Sequence, residues 1–222
     1  MSGLLPALIP VNRLDRAKGR LAELLTAKER RELALATLHT ALVATREAQM
    51  LPLVLTSDES LAAELPGVKV LPEAVALAGL NAAIEGALLR VQALVPQASD
   101  PRLLILHADL PLATGSAIRA VIAAAPPPPA ATLVRSADGG TNAMFLRPPG
   151  LFPFAYGPGS HAAHVARARA AGMAVVTIAE PSLELDLDTP ADILALLASD
   201  TGRASAAGRL LASWGIERRL GV

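Results

Sequence analysis

Carboxylates stand at the ends of two apolar segments of the sequence. Asp109 follows the apolar run 102–107, which predicts a central buried strand. Glu184, Asp186 and Asp188 alternate with leucines, so an extended strand would turn all three toward one side, where like charges repel. A divalent cation would relieve that repulsion, and Mg²⁺ prefers carboxylates, water and phosphate oxygens. The pattern predicts a Mg²⁺ site; the alternatives are a turn cap at Asp109 and a solvated edge strand at the second segment.

Two glycine-rich segments could bind an anion. Asp138-Gly-Gly-Thr-Asn142 and Gly157-Pro-Gly-Ser160 combine glycines with hydroxyl and amide groups, and the second leads directly into a predicted helix. Exposed N–H groups at a helix N-terminus attract phosphate or carboxylate, and glycine lets the backbone approach closely. We expect an anion site here, with two ordinary turns as the alternative.

A basic loop follows the first predicted strand. It carries Arg13, Lys18 and Arg20 around Gly19, but neither G-x-x-x-x-G-K-[ST] nor G-x-G-x-x-G occurs. Such a loop could clamp a triphosphate by charge instead of by a glycine cradle. The alternative is a solvated loop, which is the favoured interpretation for Arg16.

The histidines give weaker indications. His161 and His164 would share one helix face, but no carboxylate accompanies them at a zinc-binding spacing. We expect a surface role or contacts near the anion site. No Ser/His/Asp arrangement is recognisable, and the absence of cysteine excludes a cysteine nucleophile, a thiolate metal site and disulfides.

Composition narrows the class of protein. The 222 residues are 52% hydrophobic but only 2% aromatic, so Leu, Ala, Val and Ile must build the core. Twenty basic and twenty acidic residues cancel, which leaves no general electrostatic field for nucleic acid. The apolar N-terminal segment lacks a basic leader and is too short to span a membrane, so we expect a cytoplasmic protein.

Apolar runs of strand length alternate with segments of helical period, as in a mostly parallel sheet with helices on both faces. Strands are predicted at 4–10, 50–56, 68–71, 102–107, 131–135, 143–147, 175–178 and 183–186. Helices are predicted at 26–48, 79–95, 116–124 and 160–171, and from Thr189-Pro190 onward. The prolines at 126–129 predict an exposed connector. We expect one domain over 1–222 with a helical tail at 201–222, where Trp214 needs a partner surface.

Six motifs in order give the sequence a resemblance to a known family. They are Pro10-Val-Asn-Arg-Leu14 with Ala17-Lys-Gly-Arg-Leu21, Gly79-Leu-Asn-Ala82, Ala108-Asp-Leu-Pro-Leu112, Asp138-Gly-Gly-Thr-Asn142, Phe154-Ala-Tyr-Gly-Pro-Gly-Ser160 and Leu185-Asp-Leu-Asp-Thr-Pro190. The set, over about residues 5–197, resembles the 2-phospho-L-lactate / phosphoenolpyruvate guanylyltransferases of coenzyme F-420 biosynthesis. The resemblance implies an α/β fold, a Rossmann-like three-layer sandwich of the nucleotide-diphospho-sugar transferase type, related to molybdenum-cofactor guanylyltransferase.

The resemblance also implies a role for each matching position. The metal ligands, for two Mg²⁺ ions, would be Asp109, Asp186 and Asp188, which form the catalytic group together with Lys18. The acceptor acid would be bound by Thr141, Asn142, Gly157 and Ser160. The nucleotide would be bound by Pro10, Val11, Arg13, Lys18, Gly79 and Asn81. Two positions depart from the family pattern, since Asn12 replaces a lysine and Gly19 replaces a serine.

The implied reaction joins GTP to phosphoenolpyruvate and gives enolpyruvoyl-2-diphospho-5'-guanosine and pyrophosphate. An Ala-, Leu- and Pro-rich chain with few lysines is typical of GC-rich bacterial genes, which favours phosphoenolpyruvate by association. The alternatives 2-phospho-L-lactate and 3-phosphoglycerate carry the same phosphate and carboxylate. A transferase for a sugar phosphate or molybdopterin should carry a glycine-rich first loop, which this chain lacks. A non-catalytic nucleotide-binding module is the alternative of another class, and a homodimer is expected from the family.

Overall fold

Seven strands form one sheet in the part of the chain that the computed structural model describes, residues 4–73, 79–95 and 100–221. The strands are β1 Leu5–Pro10, β2 Met50–Thr56, β3 Lys69–Pro72, β4 Leu103–Leu106, β5 Ala130–Arg135, β6 Thr141–Arg147 and β7 Ala174–Ile178. Their order across the sheet is β3-β2-β1-β4-β6-β5-β7. Residues 1–3 and 222, which the predicted single domain includes, lie outside the described residues, as does the side chain of Arg16.

Strand direction is mostly parallel, as predicted, with one reversal. β1 pairs in parallel with β2 and β4, β2 with β3, and β5 with β7. β6 runs antiparallel to both of its neighbours, β4 and β5, because the short turn before it returns the chain along β5. The start of β6 therefore lies at the same edge of the sheet as the ends of β1 and β4.

Ten α-helices surround the sheet in the described ranges. They are α1 Ala27–Glu47, α2 Leu61–Glu64, α3 Gly79–Leu94, α4 Gly115–Ala123, α5 Ser160–Ala170, α6 Pro181–Glu184, α7 Pro190–Leu197, α8 Asp200–Ala204, α9 Ala206–Ser213 and α10 Ile216–Leu220. Short 3₁₀ helices occur at Leu14–Arg16, Gly19–Leu21 and Pro149–Leu151. No helix among the described residues is long and apolar enough to cross a membrane.

The central strands are buried on both faces, and their alternate side chains feed two separate cores. In β1, Ala7 and Ile9 pack with α1 and α4 on one face, whereas Leu8 packs with α3 on the other. In β4, Leu104 packs in the same core as Ala7 and Ile9, whereas Ile105 packs in the same core as Leu8. The predicted three-layer α/β sandwich is confirmed.

Two helices begin at reciprocal caps. The Thr26 hydroxyl accepts a hydrogen bond from the Glu29 amide, and the Glu29 carboxylate accepts one from the Thr26 amide. Thr189 and Asp192 form the same arrangement at α7, with proline at the first helical position. Both predicted helix starts are confirmed, and the second one fixes the chain directly after Asp188.

The predicted strand at 183–186 is wrong. Pro181 opens the one-turn helix α6, and the Glu180 amide donates to the Glu184 carboxylate at 2.9 Å, so Glu184 closes a local turn. The chain is irregular from there to the start of α7. Asp186 and Asp188 still face the cleft together, as the alternation predicted, because Leu187 between them is fully buried in a third hydrophobic cluster.

The third hydrophobic cluster holds the C-terminal tail against the rest of the fold. The tail forms the three short helices α8, α9 and α10, and apolar residues of α9 and α10 pack with α7, with α1 and with the loop after β1. Trp214 has the partner surface it was predicted to need, since it packs against this cluster. The Arg219 guanidinium adds a pair of hydrogen bonds to Glu29 at the start of α1, at 2.7 and 3.0 Å.

We expect Gly202→Ala to destabilise the fold. A Cβ at Gly202 would collide with the carbonyl oxygen of Leu196, where α8 turns back on α7. Forcing backbone apart in a packed region costs roughly 1–3 kcal/mol. Urea denaturation should show that loss in the free energy of unfolding, whereas Gly150→Ala, where a Cβ meets open space, should change it little. Equal stability of the two variants would contradict the close packing of α7 and α8.

Candidate active site

A cleft of about 810 Å³ opens at the edge of the sheet where β1 and β4 end and β6 begins. Ligands of open α/β sheets bind beyond the carboxyl ends of the strands. The cleft is lined by most of the predicted site residues: Pro10, Val11, Lys18, Gly79, Asp109, Thr141, Asn142, Gly157, Ser160, Asp186 and Asp188. Segments far apart in the sequence therefore meet in one place.

Three carboxylates form a cluster in this cleft. One oxygen from each of Asp109, Asp186 and Asp188 can be chosen so that all three lie within 4.8 Å of one another. Asp109 comes from the loop after β4, and the other two come from the irregular segment before α7. Three acidic oxygens at this spacing could bind a divalent cation.

Hydrogen bonds hold the two acidic segments together. The Leu187 amide donates to the carbonyl of Asp109 at 3.2 Å. The Asn142 side-chain amide donates to the carbonyls of Leu183 and Glu184, at 3.0 and 3.1 Å. Asn142 thus ties the start of β6 to the segment that carries Asp186. Its predicted contact with the acceptor stays a prediction, and the structure assigns its amide a supporting role.

Lys18 supplies the positive charge of the cluster. Its ammonium lies 3.2 Å from a carboxylate oxygen of Asp109 and 3.0 Å from one of Asp188, with 5% of the side chain exposed. The backbone of Lys18 is left-handed, at φ 55° and ψ 39°, a conformation that costs an L-residue about 1–2 kcal/mol. The two ion pairs offset that cost, and they place a cation from the β1 loop beside the acids.

The charges of the cluster do not balance. Burial, followed by the charges of Asp109 and Asp188, raises the pKa of Asp186 to about 6. Burial is the largest influence on Asp109 and opposes its ionisation, but the Lys18 ammonium and other nearby groups together lower the pKa of that carboxyl. The second oxygen of Asp109 is buried without a hydrogen-bond partner among the described residues. An orphaned buried oxygen next to a crowded carboxylate fits a divalent cation, with Asp109, Asp186 and Asp188 as its ligands.

The predicted anion site lies beside the acids. α5 begins at Ser160, and Gly157 and Gly159 before it take φ values of +145° and +67°, which L side chains rarely adopt. The amide of His161 donates to the carbonyl of Gly139 at 3.3 Å and joins the two glycine-rich segments. The hydroxyls of Thr141 and Ser160 lie 3.4 Å apart in the cleft. A helix N-terminus at Ser160 with the Thr141 hydroxyl beside it is suited to bind a phosphate or carboxylate.

His164 is fully buried, so the predicted surface role is wrong and the predicted contact near the anion site is confirmed. Its Nδ1 lies 3.0 Å from the Thr141 hydroxyl, and its Nε2 accepts a hydrogen bond from the Ala155 amide at 2.9 Å. Burial lowers the pKa of His164 to about 4, with smaller contributions from nearby basic groups. The spacing of His161 and His164 did not reveal this contact, because Thr141 comes from a different segment of the chain.

Two further groups in the cleft were not predicted. His107 and Tyr156 have ring centroids 5.3 Å apart, and the His107 Nε2 and the Tyr156 hydroxyl are buried without partners in the described part of the chain. Burial lowers the pKa of His107 and raises that of Tyr156, so both are neutral. His107 directly follows the apolar strand β4, and its position at that strand end was the signal that could have identified it.

The predicted nucleotide-binding residues divide into two groups. Pro10, Val11, Lys18 and Gly79 line the cleft. Arg13 lies outside its lining and pairs with Asp15 at 3.1 Å.

Asn81 also lies outside the lining, and both polar atoms of its side chain bond to the backbone of Tyr156. It thereby holds the loop before α5 against α3. Contacts of Arg13 and Asn81 with a nucleotide stay predictions.

Among the departures from the family pattern, a Cβ at Gly19 would meet nothing within 4 Å, so the usual serine would fit there.

We expect Lys18→Met to make the protein more dependent on divalent cations. Without the ammonium, the three carboxylates repel, so the melting temperature in chelator should fall. Added Mg²⁺ should raise it more than in the wild type, because no lysine competes for the same oxygens. Thermal denaturation with and without Mg²⁺ measures both effects, and Arg13→Met, in the same loop but outside the cleft, is the matched control. A metal-induced shift identical to that of the wild type would contradict this competition.

We expect His164 to make the fold sensitive to acid. A histidine whose pKa falls from 6.5 in the unfolded chain to about 4 in the folded one stabilises the fold above pH 6.5, and the stability is lost as the pH falls toward 4. At pH 5 the loss is roughly 2 kcal/mol. Urea denaturation at pH 7 and pH 5 should show a smaller pH-dependent loss for His164→Asn than for the wild type. Parallel losses in the two proteins would contradict a buried neutral His164.

Comparison with known proteins connects this geometry to a family. The family described as "Guanylyl transferase CofC like" matches residues 5–217. A phosphoenolpyruvate guanylyltransferase of Sphaerobacter thermophilus is 40% identical over 192 residues, which cover 84% of this chain and 89% of that protein. A 2-phospho-L-lactate guanylyltransferase of Methanoregula boonei is 32% identical over 189 residues, covering 84% of this chain and 79% of that protein.

The fold has a counterpart among solved structures. A candidate nucleotide-diphospho-sugar transferase from Desulfovibrio desulfuricans G20 superposes with a TM-score of 0.80 at 16% identity, covering 99% of this chain and 98% of that chain. At that identity the likeness concerns the fold alone. The family match extends over nearly the whole chain and is supported by relatives more than 30% identical. The chain therefore belongs to the CofC-like guanylyl transferase family.

Proposed function

We propose that the protein transfers a guanylyl group from GTP to phosphoenolpyruvate, giving enolpyruvoyl-2-diphospho-5'-guanosine and pyrophosphate. The observation that carries the proposal is the meeting of the carboxylate cluster and the anion site in one cleft. Family membership supports guanylyl transfer, and the Sphaerobacter relative bears the name of the phosphoenolpyruvate enzyme. The product belongs to coenzyme F-420 biosynthesis, as the sequence resemblance implies.

The proposed step is an in-line displacement at the α-phosphorus of GTP. A phosphate oxygen of phosphoenolpyruvate forms a bond to that phosphorus, and the bond from the α-phosphorus to the bridging oxygen of the β-phosphate breaks. The electron pair leaves with pyrophosphate. A phosphate nucleophile is already ionised at neutral pH, so the step needs positioning and charge neutralisation rather than a general base.

Each side of the cleft has a proposed task. On the acceptor side, Thr141, Asn142, Gly157 and Ser160 orient the phospho-acid. On the nucleotide side, Lys18 and the loop after β1 bind the triphosphate. We assign Asp109, Asp186 and Asp188 to two Mg²⁺ ions, which when bound would neutralise charge on the phosphates. The orphaned oxygen of Asp109 and the raised pKa of Asp186 support that assignment.

2-Phospho-L-lactate is the second candidate acceptor. It shares the phosphate and the carboxylate that an anion site at Thr141 and Ser160 could bind, and the Methanoregula relative is named for it. 3-Phosphoglycerate carries the same two groups. A non-catalytic nucleotide-binding module would not need three acids clustered around one lysine. A homodimer in the cytoplasm is part of the proposal by family resemblance.

The assay that tests the proposal measures Mg²⁺-dependent release of pyrophosphate from GTP with each of the three phospho-acids. We expect phosphoenolpyruvate to give the highest kcat/KM. Release with a sugar phosphate in place of these acids would favour a different transferase, and no release with any acceptor would overturn the proposed activity.

We expect Asp186→Asn to lower kcat more than about 100-fold. Mutation of a residue that only supports a metal ligand already lowers activity or metal affinity about 10–100-fold. The fold should keep its melting temperature, because burial and the neighbouring carboxylates oppose the charge on Asp186 and an amide removes that charge. Asp200→Asn makes the same chemical change at an exposed position outside the cleft and should leave kcat unchanged. Wild-type turnover by Asp186→Asn would refute the metal assignment.

A further inference from the structure

His164 is the one imidazole in the described residues whose two ring nitrogens both contact groups of the anion site and its loop. Nδ1 lies 3.0 Å from the Thr141 hydroxyl, and Nε2 lies 2.9 Å from the Ala155 amide. The ring is also packed between aromatic neighbours, with centroids 5.3 Å from Phe152 and 4.8 Å from Tyr156. These contacts fix both the position and the plane of the imidazole.

The contact with Ala155 determines which nitrogen carries the proton. A backbone amide can only donate, so Nε2 must accept and cannot be protonated. The low pKa of His164 keeps the ring neutral near pH 7, which leaves its single proton on Nδ1. Nδ1–H therefore donates to the Thr141 oxygen.

The proton of Thr141 is then left without a protein acceptor. The Thr141 oxygen accepts from His164 and, at a longer distance of 3.4 Å, from the Ser160 hydroxyl. Because Ser160 is the donor in the bond between the two hydroxyls, the Thr141 hydroxyl donates no hydrogen bond to a protein group within the described ranges, and Thr141 lines the cleft. A hydroxyl that accepts on its protein side can donate on its open side.

We propose that His164 is a positioning residue that turns the Thr141 hydroxyl into a fixed donor for an anionic oxygen of the acceptor acid. The inference rests on the proposed function, because it takes Thr141 as part of the acceptor site. His164 contacts no substrate itself. It acts by occupying a lone pair of the Thr141 oxygen. The hydroxyl is therefore already oriented as a donor when the acid enters, and it does not have to rotate.

Two substitutions separate this role from a purely structural one. The amide nitrogen of His164→Asn falls near Nδ1 and keeps a donor toward Thr141, whereas His164→Gln reaches the Nε2 position and keeps a partner for the Ala155 amide. We expect His164→Asn to bind phosphoenolpyruvate within about 3-fold of the wild type. His164→Gln should bind it about 10-fold or more weakly, the size of a lost hydrogen bond to a charged group.

Calorimetric titration with phosphoenolpyruvate in the presence of Mg²⁺ measures these affinities without turnover. Thr141→Val should weaken binding about 10-fold or more. The double variant with both Thr141→Val and His164→Gln should have an affinity within about 2-fold of that of Thr141→Val alone, since the histidine acts through the hydroxyl. Affinity for GTP should stay constant across the set. Thermal denaturation identifies any variant that fails to fold, and Thr141→Val nearly preserves the shape of the residue.

The outcomes are distinguishable. Weak binding by His164→Asn with wild-type binding by His164→Gln would overturn the inference, because support of the Ala155 loop would then be what matters. Independent, multiplying losses in the double variant would overturn it as well. A wild-type protein that binds no phospho-acid contradicts the proposed function and the inference with it, whereas wild-type binding with multiplying losses contradicts the inference alone.

Discussion

Electrostatic repulsion between carboxylates is the constraint that organises this protein. Asp109, Asp186 and Asp188 converge at one edge of the sheet, and Lys18 supplies a single nearby ammonium from the loop after β1. Three acids cannot be held so close without cations, since burial and neighbouring charge both oppose ionisation. The left-handed backbone of Lys18, the cap at the start of α7 and the Asn142 contacts all serve to keep these charges together.

Much of the sheet and the position of many residues that line the cleft could be predicted from the sequence, because they depend on local patterns. Apolar runs of strand length gave β2 with its correct bounds and the other strands within two residues. The position of Asp109 after such a run was sufficient to place it at the cleft. The error at 183–186 arose because alternation of leucine and acid was interpreted as a strand, although Pro181 begins a helical turn and no strand among the described residues pairs with the segment.

Supporting contacts were beyond prediction because each joins segments that only the fold brings together. Asn142 was expected to bind the acceptor, yet its amide donates to two carbonyls that lie 41 and 42 residues further along the chain. Asn81 was expected to bind a nucleotide, yet it fastens the backbone of Tyr156. Both are polar residues inside recognisable motifs, and a motif does not reveal whether its amide contacts a ligand or another loop. Motif membership alone therefore overstates how many residues contact a substrate.

The reversed strand β6 has a consequence for how acceptor choice can change. Because β6 begins at the cleft, the turn before it and the helix that starts at Ser160 form the part of the cleft that holds Thr141 and Ser160, whereas the carboxylates come from other segments. The Ala137 amide ties this turn to the acidic segment by donating to the Glu184 carbonyl at 3.2 Å, so only substitutions on the exposed side of the turn leave the carboxylates in register. The fold thus divides the cleft into a part that carries the carboxylates and a part that carries the two hydroxyls of Thr141 and Ser160. Such a division would allow the carboxylates to stay the same while the other part differs between relatives, and two relatives are indeed named for different phospho-acids.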